Sequence, residues 1–281
     1  MDQIRPAAVA GSFYPSNAEE LSQLIEECFE SSSLGPQGNR SPSPSLIGGL
    51  VPHAGYVYSG PCAAHLYALL DNSIRRVILL GVNHQARGRR AALSPAHFWQ
   101  TPLGAVNIDQ ELNHLLQRKV SFLRPDDTAH AGEHSIEVQL PFLQRVLGDF
   151  SLVPISLAHV SIEECLELAV AVADLLRNAS HSGTRTVMIA SSDLSHYLSP
   201  KATDELDGIA LEQVLALDPR ALIAAAEREN ITMCGLLPTA VLLFAANSLD
   251  LKQARLLKHF HSGDVTPMRR VVGYASVAFE L

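Results

Sequence analysis

A chain of 281 residues, 47% hydrophobic and only 18% charged, has the apolar material for one large packed domain, and most of its segments should be packed rather than solvated. Its net charge of −8 and pI near 5.8 argue against nucleic acid as a partner, because phosphate binding needs a clustered basic surface. The opening MDQIRPAAVA lacks the basic start and apolar run of a signal peptide, no apolar run approaches the ~20 residues of a membrane span, and the four cysteines show no C-x-x-C spacing; together these predict a cytoplasmic protein with reduced thiols and no membrane partner.

In chain order, Ser16 and Glu19 form an S-x-x-E capping box. Leu21, Leu24, Ile25, Cys28 and Phe29 follow at helical spacing, so 17–30 reads as an amphipathic helix. SSSLGPQGNRSPSPS, residues 31–45, is rich in Ser, Pro and Gly and reads as a mobile loop. Strands and helices then alternate. LIGGLV is a strand, PCAAHLYALL a helix and RRVILLG a strand; SIEVQLPFLQRVL is a helix that Pro141 either kinks or opens. SLVPISL, IEECLELAVAVADLLRN and TRTVMIAS continue as strand, helix, strand. Helical patterns at 203–216, 219–228 and 235–247 precede two closing strands, ARLLKHF and RRVVGYASVAFEL. The alternation predicts a single α/β domain, 1–281, with a mostly parallel central sheet covered by helices on both faces.

In open sheets of this kind ligands bind beyond the carboxyl ends of the strands. Three strands end in residues capable of chemistry: LIGGLV runs into Pro52-His53, RRVILLG into Asn83-His84, and TRTVMIAS into Asp193 and His196. Any one of these histidines alone would read as a loop residue, and Asp193 also suits a capping role; three strand ends in agreement point to a site. Cys234 precedes the helical run LLPTAVLLFAAN, where the positive end of the helix favours a thiolate and makes it a metal ligand or a nucleophile. Cys28, Cys62 and Cys165 read as buried small hydrophobes. His134 and Glu137 lie three apart and would share a helix face, a spacing that suits His134 better to orienting a ligand or substrate than to binding metal. His261 and Asp264 read as a turn or as part of the same pocket, and His259 as structural or solvent-facing.

The stretches RPAAVAGSFYP, VPHAGYVYSG, LGVNH, EHSIEVQLPFLQ, SSDLSHY, MCG and VGYASVAFEL, taken in order, resemble the Memo family, including its prokaryotic members called AmmeMemoRadiSam system protein B. They span nearly the whole chain, and their combination is specific where no single one is. That family is similar in fold to class III extradiol dioxygenases, in which two histidines and a glutamate hold non-haem iron(II) and another histidine acts as acid/base. Carried over, the resemblance implies His53 and His84 as metal ligands, Cys234 in the place of the glutamate, and His196 as the acid/base; in such an enzyme Asp193 and His134 would take orienting roles. One motif departs from the family pattern: Gly81-Val82-Asn83-His84 has valine where Gly-Pro-x-His is expected.

A site of two imidazoles and a sulfur accepts one divalent or redox-active ion, iron(II) being favoured and copper or zinc also suited. The resemblance thus implies a metal-dependent redox or dioxygenase-like enzyme acting on a small molecule. The alternative is a binding protein that uses the pocket to recognise a peptide or metabolite. A metal-free enzyme pairing Cys234 with His196 ranks last, because it leaves His53 and His84 without a role. The family name further implies AMMECR-type and radical-SAM proteins as partners.

Overall fold

Four apolar strands form the centre of the sheet, and each feeds alternate side chains to opposite faces. In the computed structural model, which describes residues 3–30, 32–181 and 183–281, they lie in the spatial order Ser151–Leu157, Ile74–Val82, Arg185–Ser191, Leu46–Val51, all parallel. Ile78, Leu80, Met188 and Ala190 pack into one core, while Val77, Leu79, Val187 and Ile189 pack into the other. A period of two with both phases apolar is what a strand buried on both faces requires. One core is closed by the helices Ile162–His181 and Leu236–Ser248, through Leu168, Val172, Val241 and Leu243. The other is closed by Ala18–Glu30, Tyr56–Tyr67 and Leu140–Leu147, through Leu21, Ile25, Leu66 and Leu143.

Both flanks include antiparallel pairs, so the sheet, 12-stranded among the described residues, is mixed. Val271–Glu280 runs antiparallel to Leu46–Val51 and pairs on with Gln253–His261 and with the short strand His196–Leu198. At the other side, Phe98–Thr101 and Gly104–Ile108 form a hairpin whose second strand joins Ser151–Leu157 in parallel. Among the described residues no helix is long and apolar enough to cross a membrane.

Several local expectations change. Asn17 rather than Ser16 caps the first helix, its Oδ1 accepting from the Glu19 and Glu20 amides at 2.9 and 3.0 Å. The second helix starts at Tyr56, ahead of its internal Pro61, which has no N–H to offer the Val57 carbonyl one turn earlier. Pro141 falls in the first turn of Leu140–Leu147, where its missing N–H is not needed. Ser31 lies outside the described residues; residues 32–45 form no regular element but are tied by backbone bonds such as Ser41 N to Ala68 O at 3.1 Å and Ser43 N to Leu69 O at 2.9 Å.

Glu137 does not share a task with His134. Its buried carboxylate takes Arg5 Nη1 at 2.6 Å, the Ala8 and Val9 amides at 2.8 and 3.0 Å and the Tyr14 hydroxyl at 2.6 Å. This latch fastens the N-terminal segment over the sheet's carboxyl edge and brings Phe13 onto His134, ring centroids 4.5 Å apart. Arg5 reaches on to the carbonyls of His130 and Glu133.

Beside it, His130 is buried with Nε2 donating to Ala92 O at 3.2 Å and Nδ1 unpartnered. Burial, then the Arg5 charge, lowers its pKa to about 4. The unfolded chain therefore binds more protons below the usual histidine pKa near 6.5, so the contribution of His130 is complete above that pH and is lost as pH falls towards 4, by about 3 kcal/mol in all. Urea unfolding midpoints should decline over this window, and His130→Phe, which cannot titrate, should flatten the decline while lowering stability at neutral pH. An unchanged slope in the variant would show that other groups control acid unfolding.

Candidate metal site

The three parallel strands that end in chemistry are spatial neighbours, so their carboxyl ends open on one place. His53 follows Leu46–Val51, His84 follows Ile74–Val82, and the segment Asp193–His196 follows Arg185–Ser191. His134 arrives from the loop before Leu140–Leu147. Among the described residues, His53, His84 and His134 are the group whose ligand atoms all lie within 4.8 Å of one another, and they could hold a metal ion. The rings of His84 and His134 stack at 4.6 Å, and His53 stands edge-on to both at 5.1 and 5.3 Å.

Hydrogen bonds fix which nitrogen His53 and His84 offer. Ser191 Oγ donates to the Ser135 carbonyl at 2.6 Å and accepts from Gln139 Nε2 at 2.9 Å. With its proton committed, it must accept from His53 Nδ1 at 3.0 Å, which leaves His53 Nε2 as a bare lone pair. Gln139 is held in turn by Tyr67, whose hydroxyl donates to Oε1 at 2.7 Å. His84 Nδ1 donates to Glu133 Oε1 at 2.9 Å, and His134 Nδ1 lies 3.4 Å from the same oxygen. The Nε2 atoms remain for an ion, the arrangement by which outer partners orient metal-binding histidines.

Glu133 also accepts from the His84 amide at 2.8 Å and from the His134 and Ser135 amides at 2.8 and 2.9 Å. Burial alone would raise its pKa, but the bond and charge of His84 and the Ser135 amide outweigh it and hold it at about 2. Burial also keeps His53 neutral, its pKa well below the ordinary histidine range with His134 and His84 adding to the effect, and holds His134 at about 4. Neutral imidazoles are the form that binds metal.

Asp193 is buried, and its Oδ1 accepts from the His53 and Ala54 amides at 2.7 and 3.3 Å. Burial raises it to about 6 against the opposing bond from His53. His196 donates from Nδ1 to the Thr232 carbonyl at 2.9 Å, so its Nε2 is the nitrogen free to act. Asp193, His196, Phe13 and Tyr197 line, with the three histidines, a cavity of ≈ 400 Å³.

Cys234 stands beside the three-histidine group, its Sγ 3.1 Å from His53 Nε2. It precedes Gly235, where a Cβ would come within 2.3 Å of Ser192 Cβ and 2.5 Å of Ser191 O, so only glycine lets the two loops meet. The helix end does not make it a thiolate: burial, then the Asp193 charge, pushes the thiol pKa up. The sulfur is an S–H donor towards His53. Cys28, Cys62 and Cys165 are free and buried, in keeping with their composition-based reading. His261 and Asp264 neither line the cavity nor form a simple turn: His261 caps the short helix Ser262–Val265, its amide donating to Asp264 Oδ2 at 2.9 Å.

Sequence reasoning missed Glu133, Ser191 and Gln139, and placed His134 outside the group it joins. The one visible signal was the adjacent pair Glu133-His134 in a loop leading into an apolar helix.

A mixed α/β sheet with a histidine cluster and a sulfur at its carboxyl edge defines the class of protein. A model of the Memo-like protein family matches residues 5–278. The chain is 42% identical over 283 residues to a MEMO1 family protein of Methanopyrus kandleri, covering 98% of each. It is 40% identical over 282 residues to one of Thermotoga neapolitana, with 97% of this chain and 98% of that one covered, and 38% identical over 292 residues to one of Methanocaldococcus jannaschii, with both chains fully covered. The chain belongs to the Memo family. Among solved structures, an uncharacterized protein of Escherichia coli K12 has a similar fold, with a TM-score of 0.56 over 83% of this chain and 99% of that one at 13% identity.

Without metal, Cys234 should react slowly with iodoacetamide. In the presence of a chelator at neutral pH its alkylation, followed by mass spectrometry, is expected at least ~10-fold below that of a free cysteine, because the thiolate is the nucleophile. Labelling as fast as a free cysteine would mean that the helix end prevails over burial.

Proposed function

We propose that this protein is a metal-dependent enzyme acting on a small molecule, with one ion on His53, His84 and His134, the sulfur of Cys234 as an adjoining donor, and His196 as the acid/base. One observation carries the reading: three imidazoles from separate segments converge, and each has Nδ1 turned to a protein partner. The 3.1 Å between Cys234 Sγ and His53 Nε2 supports the sulfur; donors sharing an ion with bonds of ~2.0–2.3 Å lie ~3–4 Å apart. His134 moves from an orienting role to a ligand, and Glu133 takes the orienting role. Iron(II) is the favoured ion, in the redox, dioxygenase-like chemistry that the resemblance implies, and copper and zinc suit the same donors.

A bound ion would supply Lewis acidity and open positions for an oxygen-bearing substrate. The chain's own residues do the rest. Asp193 fixes the backbone at His53, Phe13 and Tyr197 flank the substrate space, and His196, its tautomer set by Thr232, accepts a proton at Nε2 and returns it.

Metal-stripped protein titrated with Fe²⁺, Zn²⁺ or Cu⁺ should take one ion per chain. Each of His53→Ala, His84→Ala and His134→Ala should lose it, and Glu133→Gln should weaken it by ~10–100-fold. Cys234→Ser with undiminished affinity would remove the sulfur from the donor set, and His134→Ala with undiminished affinity would return His134 to an orienting role.

His196→Ala should keep fold and metal while lowering turnover by roughly 10²–10⁴-fold, chiefly in kcat. Oxygen uptake and product analysis over catechols and phenols with iron- or copper-loaded protein provide the assay. Turnover unaffected in His196→Ala would overturn the acid/base role. No turnover on any substrate, with a peptide or metabolite bound tightly and released by pocket substitutions, would favour the binding-protein reading.

A further inference from the structure

The loop that carries Asp193 and His196 is held from below by a carboxylate that the site itself does not touch. Asp207 sits in the middle of the helix Pro200–Leu215 with no exposed surface. Its Oδ1 accepts from the Ser195 amide at 2.9 Å, and its Oδ2 lies 3.0 Å from Nε2 of His259, a half-buried residue on the strand Gln253–His261. A helix interior disfavours aspartate, and a buried carboxylate is retained only where its partners are in place. An apolar residue would fill the same space without that demand.

The neighbouring strand is shaped for this carboxylate. A Cβ at Gly273 would fall 1.8 Å from Asp207 Oδ2, so the glycine makes the room. Gly273 also pairs with the loop in both directions, its carbonyl accepting from the Leu194 amide and its amide donating to Ser195 O, both at 2.9 Å. One residue further on, the His196 amide donates to Thr232 Oγ1 at 2.8 Å while the ring reaches the Thr232 carbonyl. Tyr197 then has a φ of +59°, a left-handed conformation that a tyrosine adopts only under external restraint.

We propose that Asp207 and His259 form a positioning couple for His196. Asp207 fixes the Ser195 peptide and so the direction in which the His196 side chain leaves the backbone. One ring nitrogen then meets Thr232 and the other meets the cavity. His259 supplies the donor that keeps the second carboxylate oxygen satisfied and the side chain in its rotamer. The proposal rests on the acid/base reading of His196, and it adds two positioning residues that lie outside the cavity.

The test is NMR of uniformly ¹⁵N-labelled protein, in which the Ser195 amide and the histidine rings are both observed, the His196 ring signals being assigned by their loss in His196→Ala. Wild type should show His196 as the Nδ1–H tautomer. Asp207→Ala should show both tautomers in exchange and an upfield-shifted Ser195 amide, and Asp207→Asn, which keeps an acceptor, should restore both signals. Should Asp207→Ala fail to fold, His259→Ala serves at its half-buried position, with faster solvent exchange of the Ser195 amide expected and His259→Gln, which keeps a donor, restoring it. On any substrate that wild type turns over, the couple's loss should lower kcat by about 10- to 100-fold with KM unchanged. Unaltered His196 ring signals and Ser195 amide in the alanine variants, whatever the fall in Tm, would reduce both residues to packing and overturn the proposal. An absence of turnover by wild type overturns the acid/base reading instead, and the ring signals still decide the positioning.

Discussion

The site depends on the carboxylate of Glu133. Its two oxygens take the His84 ring, the His84 amide and the amides of His134 and Ser135, and so tie the end of a central strand to a loop some fifty residues further on. A carboxylate so supplied with donors stays ionised even when buried. Its charge then holds the two imidazoles it orients where they stack on one another at 4.6 Å. Ser191 performs the corresponding service for His53 without any charge, by having its own proton already committed. The three rings are thus held by two different devices, and both leave Nε2 pointing at the common space.

The central sheet was legible because its strands are apolar in both phases, and the helices that cover it because their apolar positions recur at helical spacing. The carboxyl edge was legible from the same strands: once Leu46–Val51, Ile74–Val82 and Arg185–Ser191 are parallel neighbours, the residues that follow them have to meet. The short pieces were not legible. The hairpin Phe98–Thr101 and Gly104–Ile108 is half-exposed and made of few residues, and the helix Gln110–Lys119 is mostly polar, so neither offers a periodic signal that stands out.

Within the site, residues announced by a strand end were found and residues delivered by a loop were not. His134 looked like one turn of a helix shared with Glu137. The helical turn begins only at Glu137, which leaves His134 free to face the cavity while Glu137 turns away to Arg5 and Tyr14. The sequence pattern also could not show that Cys234 would be half-buried beside the Asp193 carboxylate, where desolvation and that charge keep the helix end from ionising it. Burial by distant segments is a tertiary fact, and no local spacing encodes it.

The position of the strand Leu46–Val51 has a consequence for how the molecule comes into being. Its two sheet neighbours are Arg185–Ser191 and Val271–Glu280, both made long after it, and the second is the last strand of the chain. During synthesis this strand, with His53 at its tip, leaves the ribosome with no partner on either side. Pairings so distant in sequence are slow to form. One side can pair once Arg185–Ser191 is made, but the other stays open until Val271–Glu280 arrives, and until then an unpaired edge flanked by apolar side chains is exposed to other chains.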